Sequence, residues 1–100
     1  MSTLLTEELR KTLPKLYAQD GSKDPIVHAK FFFPLSSWTW YVTEGEATEN
    51  GDFLFFGYVI GFEREWGHFV LRELEEIEVY GLKIERDLYF EQTPFSKCGL

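Results

Sequence analysis

Glu44 and Glu46 stand two residues apart in the run Trp38-Thr-Trp-Tyr-Val-Thr-Glu-Gly-Glu46. On an extended chain that spacing puts both carboxylates on one face, ~6.7 Å apart, near the separation of acid and base in inverting glycosidases. A strand end beside a polar turn solvates its acids, however, and acid–base work needs a desolvated carboxyl, so the pair reads as surface charge. His28 and His68 are the only histidines. If their strands pair, the two imidazoles and Glu44 compose a chemically reasonable metal site of two histidines and a carboxylate, and a small metal-dependent hydrolase is one alternative reading. Their spacing matches no metal motif, and strand histidines are more often half-buried and hydrogen-bonded. Ser36, Ser37 and Cys98 lie in no G-x-S-x-G context. There is no phosphate loop, and Gly57-Tyr-Val-Ile-Gly61 sits inside a strand and opens no helix. No catalytic residue, metal ligand or cofactor is assigned.

Trp38 and Trp40 fall on one strand face and Trp66 on another strand. Sheet aromatics can stack bases, but the neighbours Glu44, Glu46, Glu63 and Glu65 are acidic. Core packing accounts for these rings, and an exposed protein-binding patch is the functional reading, since tryptophan is favoured at interface anchors. Glu44, Glu46, Glu49 and Asp52 ring one hairpin, with Glu63, Glu65, Glu73, Glu75, Glu76 and Glu78 close behind. Acids repeating every ~6.7 Å along a strand can imitate phosphates spaced ~3.4 Å along one DNA strand and fill a basic groove. The plain alternative is a solvated face that keeps the protein in solution. Net charge is −7, and residues 44–91 hold 13 acids against four bases. This disfavours direct nucleic-acid binding unless the basic residues of segment 1–30 gather on one face, which is a third reading. One cysteine allows no internal disulfide, and Cys98 is expected to be a free thiol in a frayed tail.

The elements that must position these groups follow from patterning. Thr6 caps a short helix over residues 6–13, with Glu7 and Glu8 in its first turn, Leu5, Leu9 and Leu13 on one face, and Pro14 at its end. Residues 20–25 are a loop. Strands are expected over 26–33, 38–46, 53–62 and 66–71, with Asn50-Gly51 turning the second into the third. In the second strand Trp38, Trp40, Val42, Glu44 and Glu46 share a face. The uncharged run Phe53–Phe62 belongs inside a sheet, covered on both sides. Gly57 and Gly61 mark the close approach of another element, either the N-terminal helix or an aromatic from a neighbouring strand. A short second helix over 72–78, ended by Gly81, a fifth strand over 84–90 and a loose tail after Pro94 complete the chain. The result is one α+β domain over residues 1–100: a single antiparallel meander of four or five strands, with the N-terminal helix on one face and a short second helix. The N-terminal residues have neither the basic start nor the apolar stretch of a signal peptide, and no uncharged apolar run reaches the roughly 18 residues of a membrane span. A cytoplasmic location is expected, away from the membrane.

Four segments in order resemble one family: Leu4-Leu-Thr-Glu-Glu-Leu-Arg-Lys11; Ile26-Val-His-Ala-Lys-Phe-Phe-Phe33 followed by Trp38-Thr-Trp-Tyr41; Phe55-Phe-Gly-Tyr-Val-Ile-Gly61; and Leu74-Glu-Glu-Ile77 with Gly81-Leu-Lys-Ile-Glu-Arg-Asp-Leu-Tyr-Phe90. Together they are similar to the domain of unknown function 2958. Arg72 departs from the simplest pattern, in which a helix-capping Ser would fit better. The resemblance implies a small accessory protein of plasmids, integrative elements and phages, with no catalytic residues to carry over. It leads to a non-enzymatic protein that binds a host or element protein through Trp38, Trp40, Glu44, Glu46, Glu49, Asp52, Glu63, Glu65 and Trp66, with an anti-defence or regulatory role.

Overall fold

A computed structural model describes residues 4–100; residues 1–3, part of the segment read above for a signal peptide, lie outside them. The first helix, α1 (Glu7–Thr12), begins where the sequence says it should. Thr6 is extended, and its Oγ1 accepts the Leu9 amide at 3.1 Å. Glu7 and Glu8 sit at the positive end of the helix dipole and Arg10 and Lys11 at the negative end. Leu9 and Leu13 are buried, and Pro14 ends the helix because it cannot supply the next amide.

The strands follow as β1 (Ile26–Val27), β2 (Ala29–Phe32), β3 (Thr39–Ala47), β4 (Phe53–Ile60) and β5 (Arg64–Val70). Helix α2 (Leu71–Glu76) comes next, then β6 (Glu78–Val79), β7 (Leu82–Lys83), β8 (Glu85–Arg86) and β9 (Thr93–Pro94), and a 3-10 turn over Phe95–Lys97. The main sheet has five antiparallel strands in the order β5-β4-β3-β2-β8. This is the expected meander, closed at one edge by the short fifth strand. No helix among the described residues is long and apolar enough to cross a membrane.

The core lies between one sheet face and the two helices. Phe55 is completely buried at its centre, ringed by Phe53, Phe69 and Phe31 with centroids 5.0, 5.5 and 5.6 Å away. Leu9, Leu13, Val42, Trp40, Leu74 and Ile84 fill in around them. Strand β4 is interior, as its composition requires, but its faces are unequal. Phe53, Phe55 and Gly57 are buried, whereas Leu54, Phe56, Tyr58 and Ile60 are only half-covered. That second face carries the cleft described below.

Four expectations are corrected. The first strand breaks at His28, whose amide bonds to the Val42 carbonyl at 2.8 Å, so Ile26–Val27 pairs with Thr93–Pro94 while Ala29–Phe32 stays in the main sheet. Gly81 does not stop the second helix, which already ends at Glu76. With Tyr80 it turns the β6–β7 hairpin, both residues at positive φ (52° and 79°). The fifth strand shrinks from residues 84–90 to Glu85–Arg86: the Asp87 amide still bonds to Lys30 O (2.9 Å) and its carboxylate pairs with Lys30 (3.8 Å), but the chain then turns, with the Phe90 amide on Asp87 O. The tail is not loose. Beyond its pairing with β1, the Phe95 amide bonds to Pro25 O, and Ser96 donates through its amide (2.8 Å) and hydroxyl (2.7 Å) to the two Asp24 oxygens.

Gly61 meets the expected aromatic, lying under the ring of Trp38 just before β3, whereas at Gly57 the expected helix or ring is replaced by the β3 backbone, at the Tyr41 carbonyl.

Candidate functional site

The site is set by a single extra residue. Val42 pairs with Gly57, but the next partners are Glu44 and Phe56, so Thr43 is bulged out of the ladder. Its hydroxyl donates to Phe56 O at 3.2 Å, and the residue is fully buried. A bulge reverses the alternation beyond it. Trp40 and Val42 face the core, as does Gly45, which lies against Phe53, Phe55 and Leu13. Glu44 and Glu46 are therefore on the opposite face, not on the face of Trp38, Trp40 and Val42 as strict alternation predicts.

Nor are the two glutamates simply solvated. Strand β2 pairs with β3 only as far as Val42, leaving the Thr43–Ala47 stretch a free edge. Residues 14–19 fill it. Pro14 O accepts the Gly45 amide, Glu46 Oε1 accepts the Leu16 amide at 3.0 Å, and Glu44 Oε1 accepts the Tyr17 amide at 2.5 Å. Gln19 completes the seam, donating to Thr43 O (2.9 Å) and Ile26 O (3.0 Å) and accepting from the Ile26 amide (2.7 Å). Glu46 remains exposed, but Glu44 is only 4% exposed. No ion pair among the described residues involves it; those formed are Lys30–Asp87 and Lys83–Glu78.

Glu44, Phe56 and His68 lie side by side across β3, β4 and β5, and Tyr41, Tyr58 and Trp66 form the adjacent row. Phe56 is nearly parallel to Trp66 (5.9 Å, 14°) and tilted against His68 (4.9 Å). Phe95, delivered by the docked tail, closes on Trp66 (4.8 Å) and Tyr58 (5.0 Å). From the loop, the Tyr17 ring reaches to 6.3 Å from His68. Tyr17 has φ 69°, a left-handed conformation that is an outlier for a bulky side chain. Between these rings and residues 19–25 opens a cavity of about 490 Å³, with Glu44 and Thr43 in its lining and Asp20 and Lys23 on the loop.

The nine residues proposed from the sequence are dispersed. Trp40 is in the core. Trp38 is half-buried against Trp40 and Phe62 (5.8 and 5.4 Å). Trp66 is on the cleft face, 40% exposed. The three tryptophans thus form no common patch. Glu49, Glu63 and Glu65 are exposed at turns and the sheet edge. Asp52 caps a helix: Val70, the residue before α2, supplies no side-chain cap, and Asp52 Oδ1 accepts the Arg72 amide at 3.1 Å from 20 residues away. This accounts for the missing capping residue near Arg72.

His28 does not join His68. It bonds to Gln92 in the C-terminal segment, and burial lowers its pKa, an effect Gln92 partly offsets. Among the described residues no three His, Cys, Asp or Glu side chains are grouped to hold a metal ion. Tyr17, Gln19, Phe56 and Phe95 were not singled out from the sequence. Phe56 alone carried a signal, as the ring one step out of phase with the core positions of its strand.

A family model described as protein of unknown function (DUF2958) matches residues 4–97. No curated protein and no solved structure matches the chain.

Proposed function

Since the chain belongs to the DUF2958 family of proteins of unknown function, we propose a non-enzymatic accessory protein of a mobile genetic element, as the resemblance implies, and infer from the cleft that it binds a host or element protein. The contact is made by the cleft face. Trp66 and Phe95 anchor it, and Glu44 and Glu46 supply its negative character. One observation carries this reading. Large rings from three separate parts of the chain (loop, sheet and tail) converge on an open cavity floored by a buried carboxylate. Aromatic anchors around a desolvated centre are the usual composition of a binding hot spot, and a net charge of −7 favours a basic partner. An anti-defence or regulatory task in the cytoplasm fits that setting. The rival in which acids imitate phosphates is less well supported, because Glu44 is buried and Asp52 is committed to a helix cap.

The test is affinity capture from cells carrying the element, comparing the wild type with a Trp66→Ala/Phe95→Ala variant whose circular dichroism is unchanged. A protein retained by the wild type, lost by the variant and eluted by rising salt is expected. Identical captures by both proteins would remove the cleft face as the contact surface.

A further inference from the structure

We propose that the cleft receives the guanidinium of an arginine side chain, presented by a basic segment of the partner protein, with Glu44 as its counter-ion. The inference deepens the protein-binding reading above and rests on it. Its first support is the state of Glu44. A carboxylate removed from water is costly unless paired and hydrogen-bonded, yet this one, 4% exposed, has no cation among the described residues. Its Oε1 accepts the Tyr17 amide, whereas Oε2 has only a long 3.5 Å contact from the Thr43 hydroxyl. A carboxylate has about four acceptor positions, so Glu44, which lines the cavity, can take further donors.

The second support is the walls. Phe56 and Trp66 lie 14° from parallel and His68 is tilted beside them, offering the flat faces on which a guanidinium stacks. An ammonium is a compact, strongly hydrated charge with no flat face, so it uses these walls less well. Asp20 adds a second acid at the rim; Lys23, exposed on the loop, is the one lysine or arginine lining it among the described residues and is unpaired with Glu44. The volume, about 490 Å³, falls in the range of ligand pockets and holds more than one guanidinium head, which suits an arginine with its flanking residues. Third, Tyr17 is held at φ 69°. Strained backbone of this kind gathers at ligand clamps, and here it aims the amide at Glu44 and the ring at the cavity mouth.

The experiment follows the Trp66 indole signal by NMR, identified with a Trp66→Phe variant. Titrants are agmatine and a glycine–serine peptide with one central arginine, alongside versions with lysine and with citrulline, which keeps the shape and drops the charge. The arginine peptide is expected to shift the signal and to bind at least about tenfold more tightly than the citrulline peptide, the scale of a charge-assisted hydrogen bond. The lysine peptide should fall between them. Glu44→Gln retains an oxygen for the Tyr17 amide, and should bind the arginine and citrulline peptides alike. Equal wild-type affinity for arginine and citrulline, lysine as tight as arginine, or no shift up to about 10 mM titrant would overturn the assignment. A captured partner that agmatine fails to displace would sink it while leaving the binding role standing. Arginine binding without any captured partner would do the reverse.

Discussion

Gly57 and Gly67 face each other across β4 and β5, yet the same substitution should move them in opposite directions. At Gly57 a Cβ would collide with the Tyr41 carbonyl oxygen, and would lie 2.9 Å from the Tyr41 carbonyl carbon and 3.1 Å from Val42 Cα. All three are backbone atoms beside the Thr43 bulge, so no side-chain rotation relieves the clash. Overpacking a core typically costs 1–3 kcal/mol, and a clash that only backbone can relieve belongs at or above the top of that range: about 3 kcal/mol for Gly57→Ala. At Gly67 nothing lies within 4 Å of the same position and φ is not left-handed. Gly67→Ala therefore loses nothing in the fold and restricts the unfolded chain, a gain of about 0.4–1 kcal/mol. For a domain of this size each kcal/mol moves Tm by roughly 4–8 °C. Thermal unfolding followed by circular dichroism should thus place Gly57→Ala about 12 °C or more below the wild type and Gly67→Ala at or slightly above it. Equal shifts for the two variants would refute the bulge geometry, and with it the placement of Glu44.

Three further outcomes follow from the geometry. Asp52→Ala removes the remote cap of α2 and should lower stability by about 1 kcal/mol in urea unfolding; an unchanged midpoint would return Asp52 to the acidic surface. Burial holds the His28 pKa below 6.5, so beneath that pH the unfolded chain binds the extra proton and the fold weakens as pH falls, until the folded pKa is passed. Urea midpoints between pH 7.5 and 5 should fall less steeply in His28→Asn than in the wild type, and parallel slopes would contradict this. Cys98 is half-buried and its thiol pKa is raised, by burial first and then by the charge of Asp24. It should alkylate more slowly at pH 8 than a cysteine in an unfolded peptide, and faster in Ser96→Ala, which loosens the tail; a wild-type rate matching the unfolded peptide would argue against a docked tail.

Local chemistry made part of this architecture legible. Thr6 and Pro14 bound the first helix through their own backbone requirements. Asn50-Gly51 marks a turn because Gly51 takes φ 84°. The run from Phe53 to Phe62 has no charge to expose and reads as sheet interior, which holds as far as Ile60, where β4 ends; Phe62 lies beyond it and is exposed. What was not legible depends on partners distant in the chain. The Thr43 bulge has no signature in its own strand; it answers to Gly57, which admits the Tyr41 carbonyl, and to the loop that takes up the free edge. Gly81 looks the same to a sequence reader whether it ends a helix or turns a hairpin. Asp52 reads as a surface acid until α2 is seen to start above it. Phe95 follows a proline in a polar tail, and contacts distant in sequence make it a wall of the cleft: the β1–β9 pairing, the Pro25 carbonyl and the Asp24–Ser96 bonds, which span 72 residues.

The bulge also has a genetic consequence. Strand parity beyond Val42 depends on Thr43 standing outside the ladder. Deleting Thr43 would leave Val42 opposite Gly57 and Glu44 opposite Phe56, so Glu44 and Glu46 would keep their face, whereas deleting Gly45 would bring Glu46 opposite Phe55 and turn it toward the core. The hairpin that follows tolerates changes of length far better, since Glu49 and Asn50 are exposed at its tip. Length variation among natural versions of this domain should therefore collect at that tip and avoid the few positions just before it.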